Sequence, residues 1–254
     1  MFGLNFCAAE SLQAVLADVW NTDVGDISGL PLMITPNVDQ IVKLSKPEHA
    51  DLARALGEAH WILPDGQPLV AVSKLKGGRY RMPARLPGSD FFPMIWKQIC
   101  RSDKAAAFVL PSAALGEAFE GEHDRVFWHA PPYFSADDKA EAEKTILAAA
   151  EICKSKKPEF LFLGLGFPKQ EIIALGVLDR LKAEGLPLPK TFLLGASFEF
   201  YFGMKKRAPK IWQKLGLEFL HRFLSEPKRM FRRYFVDDLA FLPIAGRELF
   251  SKRR

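Results

Sequence analysis

Three short segments of this 254-residue chain combine a turn with side chains that could do chemistry. They are Thr35-Pro36-Asn37, Leu63-Pro64-Asp65-Gly66 and Gly164-Leu165-Gly166-Phe167-Pro168-Lys169-Gln170-Glu171. Each closes an apolar run and leads into a helical pattern. Asp65 stands alone between Pro64 and Gly66, where partial desolvation raises a carboxylate's affinity for protons and makes it a better proton acceptor. Pro-Asp-Gly is also a common turn string, so a turn or N-cap aspartate fits the same residues. Asn37 and Gln170 can donate hydrogen bonds to a sugar or phosphate, or cap helices. In the third segment, Gly164 and Gly166 allow close backbone approach, and Pro168 at a first helical position leaves free N–H groups facing the loop. Such a turn attracts phosphate, and Lys169 adds positive charge. A tight strand-to-helix turn with ordinary glycines is the other reading.

Several chemistries lack their residues. GLGFPK at 164–169 has lysine where a dinucleotide fingerprint needs its third glycine, no acid follows at ribose-reading distance, and no GxxxxGK[ST] is present. The histidines at 49, 60, 123, 129 and 221 form no HxH, HExxH or HxxxH set, there is no DxD string, and no metal site is expected. No GxSxG elbow occurs. Cys7, Cys100 and Cys153 are an odd, widely spaced set, which suits a reducing compartment and buried thiols.

The elements that must hold these loops are legible as alternating apolar and amphipathic runs. Strands are predicted at 32–35, 60–63, 105–110, 125–129, 160–165 and 191–194. Helices are predicted from 38 to about 58 with a break at 45–47, over 67–75, from a Ser89 or Asp90 cap to Cys100, from a Ser135 cap to Lys154, and over 168–184. A short helix separates the third and fourth strands. Phe160 to Leu165 is nearly all apolar, as in a strand buried on both faces of a parallel sheet. Repeated β-then-α units of this size predict an open, mostly parallel, Rossmann-like sheet with helices on both faces. In such sheets ligands collect beyond the carboxyl ends of the strands, where all three segments would lie.

The net charge of +5 is unevenly placed: residues 204–254 hold 14 Lys/Arg against 5 Asp/Glu, and the rest is mildly acidic. In this arm Trp212, Phe219, Phe223, Phe231, Tyr234 and Phe235 interleave with the basic residues. Packed on the body, the aromatics would face the sheet. Against a membrane they would enter the headgroup boundary while each basic residue near anionic lipid adds ~1 kcal/mol; the charge favours this second account. No run of 18 apolar residues and no secretory signal is apparent, so any membrane association is expected to be peripheral. Nucleic acid is not an expected partner, because no helix-turn-helix, zinc finger or RRM signature accompanies the charge.

Taken together, TPN at 35–37, LPDG at 63–66, PGSD at 87–90, GLGFPKQE at 164–171, LLGASFEF at 193–200 and KRAPKIWQKLGLEFLHRFLSEPKR at 206–229 resemble, in order and spacing, the WecG/TagA/CpsF glycosyltransferase family. The resemblance runs from about residue 30 to 235. It implies an inverting, metal-independent transfer of a hexose-type sugar from a UDP-sugar donor to a polyprenyl-diphosphate-linked saccharide in cell-surface polysaccharide biosynthesis. No cofactor is implied, and the location implied is the cytoplasmic face of the bacterial inner membrane. Asp65 becomes the catalytic base. Asn37 and Gln170 lie near the donor, with Thr35, Gly164, Gly166, Lys169 and Glu171 around it, and Arg222, Arg229 and Arg232 reach over the diphosphate. The implied division is a catalytic α/β domain at 1–203 and a basic appendage at 204–254 that meets the anionic membrane surface and completes the site; a homo-oligomer is compatible with this. The chain departs from the family pattern at Pro111-Ser112, Ala196 and Glu199, which bears on the donor sugar more than on the reaction class. Two other functions stay open on sequence: a non-catalytic membrane-binding scaffold and a nucleotide-dependent oxidoreductase.

Overall fold

The computed structural model describes residues 1–205 and 238–251. Helix α1 (Leu12–Asn21) precedes strand β1 (Leu30–Ile34), helices α2 (Val38–Leu44) and α3 (Ala50–Leu56), strand β2 (Ala59–Ile62) and helix α4 (Gln67–Lys76). Then come α5 (Gly88–Ile99), β3 (Ala106–Val109), α6 (Ala113–Glu120), β4 (Val126–His129), α7 (Lys139–Lys156), β5 (Phe160–Leu163), α8 (Lys169–Ala183), β6 (Lys190–Leu193) and α9 (Ser197–Tyr201). After residues 206–237, the last described helix is α10 (Phe241–Phe250).

The six strands form one parallel sheet in the order β2-β1-β6-β5-β3-β4, as the alternating pattern predicts. Their carboxyl ends are level, because Ile34 pairs with Ile62 and Leu193, Leu163 with Leu193 and Val109, and Val109 with His129. The one irregularity, between Leu30 and Met33 of β1, falls at Pro31, which has no N–H to give to a ladder.

Alternation along each strand splits the core into two unlike layers. Leu32, Ile34, Val109, Leu161, Leu163 and Leu193 meet α2, α4, α7 and α8 in an aliphatic layer. Met33, Trp61, Phe108, Phe160, Phe162 and Phe192 face α1, α5, α6 and α9, where Phe91, Phe92, Trp96, Phe119 and Phe198 complete an aromatic layer. The rings there pack mainly edge-to-face or offset, with Phe92 to Phe198 at 4.7 Å and Phe108 to Phe119 at 4.2 Å.

Helix starts differ most from the sequence reading. The fifth helix begins at Gly88 behind Pro87 with no side-chain cap, so Pro93 falls in its second turn rather than its first. The seventh begins at Lys139, capped by Asp138 through the Glu141 N–H, and not at Ser135. The break foreseen at 45–47 is present: α2 stops at Leu44, and a short 3-10 turn over Pro47–His49 precedes α3.

Helix α10 returns to the aliphatic side and packs on α2 and α4, burying Phe241 and Ala245. The Lys76 ammonium lies 2.5 Å from Glu248 and donates to Ser251 Oγ at 2.9 Å, and the Phe2 N–H donates to the other Glu248 oxygen at 2.8 Å. The described end of the arm, α10, is thus packed on the body.

Candidate active site at the carboxyl rim of the sheet

The loops after β1, β2, β5 and β6 enclose a cavity of about 290 Å³. Larger cavities lie elsewhere: between Met1, residues 4–8 and residues 79–82, below the amino ends of β5 and β6, and between α2 and α10. The rim cavity gathers the chemistry, and it occupies the position where open parallel sheets bind ligands. Thr35, Asn37, Asp65, Gly166 and Gln170 all line it, joined by Lys43, Ser89, Gly195 and Ser197.

Each of these side chains is held by its loop. The Asn37 Oδ1 accepts the Gln40 N–H while the Gln40 Oε1 accepts the Asn37 N–H, both at 3.2 Å, a capping box that starts α2. The sequence left Asn37 as either cap or ligand donor; it caps the helix and also faces the cavity. The Asp65 N–H bonds to the Pro36 carbonyl and the Leu63 N–H to Ile34, which ties the second loop to the first. The Arg85 Nη2 donates to Asp65 Oδ1 at 3.1 Å, with both side chains about one-fifth exposed.

In the third loop, Gly164 does not line the cavity but sits where β5 meets α9. A Cβ there would stand 2.6 Å from the Phe198 ring and 3.1 Å from the Gly195 carbonyl, so only glycine lets β5 and α9 approach this closely. Gly166 has φ +74°, the left-handed region that favours glycine. The Gln170 side chain bridges two loops: its Oε1 accepts the Gly195 N–H at 3.1 Å, and its Nε2 donates to Glu171 Oε1 at 3.0 Å.

Two expected contacts fall elsewhere. The Lys169 ammonium donates to the Phe134 carbonyl at 3.2 Å and sits over the Tyr133 and Phe134 rings, away from the rim cavity. Glu171 is buried behind Gln170 and does not line the cavity. Burial pushes its carboxyl up to about 7, against the pull of the Gln170 hydrogen bond, its own N–H, the Gln40 amide and the Lys43 charge. Arg222, Arg229 and Arg232 lie outside the described residues. Among the described residues, no group of three His, Cys, Asp or Glu gathers as a metal site.

Sequence reasoning missed Arg85 and Lys43. Arg85 comes 20 residues after Asp65, on the stretch between α4 and α5, and no local pattern marks it. Lys43 pairs with Asp39 at 2.9 Å and lies 5.6 Å from the Phe167 ring centre. Its i,i+4 pairing on α2 was a readable signal.

A level parallel sheet with a polar cavity on its rim defines the class: an open α/β protein with its candidate site at the strand ends. The chain belongs to the glycosyl transferase WecG/TagA/CpsF family, which it matches over residues 8–254, and glycosyl transfer is the activity that membership supports. It is 28% identical over 192 residues to the N-acetylglucosaminyldiphosphoundecaprenol N-acetyl-β-D-mannosaminyltransferase of Staphylococcus aureus strain MRSA252, covering 72% of this chain and 68% of that protein. The protein of the same name from strain MW2 is 27% identical over 194 residues, with the same shares covered.

Proposed function

We propose that this protein moves a hexose-type sugar from a UDP-sugar to a polyprenyl-diphosphate-linked saccharide, with inversion. The observation that carries the reading is Asp65: an ion-paired carboxylate facing the same cavity as Thr35, Asn37 and Gln170. The relatives' names specify a saccharide on a polyprenyl diphosphate as acceptor, which is the class of molecule proposed here.

In a single displacement the acceptor hydroxyl oxygen attacks the anomeric carbon, the bond from that carbon to the UDP oxygen breaks, and the hydroxyl proton passes to Asp65. Arg85 holds the carboxylate in place. The diphosphate leaves with its bonding electron pair and needs charge stabilisation rather than a strong acid. Arg222, Arg229 and Arg232 are proposed to supply it, and Lys43 adds a cation at the cavity wall. The level strand ends bring base, donor loop and amide donors to one edge, which is the positioning such a displacement requires.

The body is proposed to work as a peripheral membrane enzyme at the cytoplasmic face. No helix among the described residues is long and apolar enough to cross a bilayer. Helix α10 buries Phe241 and Ala245 but exposes Leu242 and Phe250 on its outer side, which supports contact with an interface. The decisive test is a panel of UDP-sugars with lipid-linked acceptors in vesicles or detergent. Acceptor-dependent release of UDP supports the reading; no turnover across the panel, with vesicle binding intact, would favour a scaffold instead.

A further inference from the structure

We infer that Glu171 is the positioning residue of this site, a buried carboxylate that holds two rim loops, those after β5 and β6, in one arrangement by fixing the amide of Gln170. The inference rests on the proposed function only for its donor-binding readout.

The geometry starts with Gln170, whose amide has two possible flips. The Gly195 N–H, a donor, requires Oε1 on its side at 3.1 Å. The Glu171 carboxylate, an acceptor, requires Nε2 on the other side at 3.0 Å. Both neighbours select the same flip. That flip ties the loop after β6 to the start of α8, and Nε2 keeps a second hydrogen on a residue that lines the cavity. The loops after β5 and β6 thus meet at the Gln170 amide, which is held by one side chain that is 2% exposed.

Burial of this kind is costly unless the group does something. Glu171 Oε2 has no hydrogen-bond partner, and Glu171 forms no ion pair within 4 Å among the described residues. An apolar side chain of similar length would avoid that desolvation. What it could not do is accept the Gln170 N–H. A glutamine could, through its own Oε1, without the charge. The geometry therefore distinguishes the two substitutions: Glu171→Gln should recover most of what Glu171→Met loses.

The experiment uses the full chain and two readouts. UDP binding is measured by calorimetry for wild type, Glu171→Met, Glu171→Gln, Gln170→Ala and the Gln170→Ala/Glu171→Met double variant. Losing one hydrogen bond's worth of positioning should weaken UDP about tenfold in Glu171→Met. Glu171→Gln should recover most of it, and Glu171→Met should cost nothing further once Gln170 is alanine. Exchange of the Gly195 amide hydrogen, bonded to Gln170 Oε1, should be faster in Glu171→Met than in wild type. Unchanged UDP affinity together with unchanged Gly195 exchange in a folded Glu171→Met protein would overturn the inference, as would fully additive losses. If wild type itself does not bind UDP, the proposed function fails, and Gly195 exchange alone then decides the positioning role.

Discussion

Replacing Glu248 with glutamine tests whether α10 is welded to the body. Its partner Lys76 has only 5% of its side chain exposed, and Glu248 has 16%. Glutamine keeps the length and an oxygen for the Phe2 N–H but removes the charge, leaving the buried Lys76 ammonium, among the described residues, with Ser251 Oγ at 2.9 Å and the Tyr80 ring at 4.4 Å. Breaking a buried pair from one side costs about 3–5 kcal/mol, and the remaining contacts put this case at the lower end, about 3 kcal/mol. For a chain of this size that corresponds to a fall of roughly 6–12 °C in Tm. The pH dependence has a definite sign. Burial pushes the Glu248 carboxyl up, but the Lys76 hydrogen bond, the Phe2 N–H, and the charges of Lys76 and the amino terminus together bring it below the usual range. A depressed carboxyl contributes stability that is present above its unfolded value and lost as pH falls through the folded one. The gap between wild type and Glu248→Gln should therefore be full at pH 7 and narrow towards pH 4 and below. The assay is urea unfolding followed by circular dichroism across that range, with Lys76→Met/Glu248→Leu as the control. The double variant should return to within about 1 kcal/mol of wild type, because an apolar pair has no charge to desolvate. A Glu248→Gln protein within about 0.5 kcal/mol of wild type at pH 7 would refute the reasoning and free α10 from the body.

Other perturbations reach the site directly. Asp65→Asn should fold and bind UDP yet lose about 10²–10⁴-fold in turnover, the usual range for a general base; near-normal turnover would remove Asp65 from that role. Gly164→Ala drives a methyl into the Phe198 ring and the Gly195 carbonyl, and should cost about 1–3 kcal/mol in a thermal melt, with weaker UDP binding; an unchanged melt would contradict the close approach. Cys153, which burial pushes up to about 12, should resist a thiol reagent at pH 8 until the protein unfolds, and fast labelling of folded protein would show that the layer under α7 is open.

How much of this was readable beforehand depended on how local its cause was. Phe160 to Leu163 announced a doubly buried strand because every position is apolar, and all six strands fall within two residues of the sequence reading. Nothing local carries the sheet order, which follows from how the helices pack on both faces. Helix starts slipped where the cap is not the residue a pattern would choose: Asp138 rather than Ser135, and Pro87 rather than Ser89 or Asp90. Helix α1 was not foreseen. The three candidate loops stand out because turn and polar residues sit side by side, and the sheet does bring Thr35, Asn37, Asp65, Gly166 and Gln170 to one cavity. Side-chain direction was not readable, so Lys169 was expected at the phosphate while it lies over Tyr133 and Phe134. Arg85 was invisible for a related reason: only the folded chain brings it to Asp65.

The unequal layers of the core have an optical consequence. Trp61 and Trp96 are buried in the aromatic layer, and Trp20 and Trp128 pack against it. Of the five tryptophans, only Trp212 lies elsewhere in the chain, in the basic arm. The body's intrinsic fluorescence therefore reports on one side of the sheet and is blind to the aliphatic side where α10 docks. Subtracting the emission of a Trp212→Phe protein isolates a signal from the arm alone, so that vesicles or donor can be added and the arm's response seen against a body whose own indoles cancel.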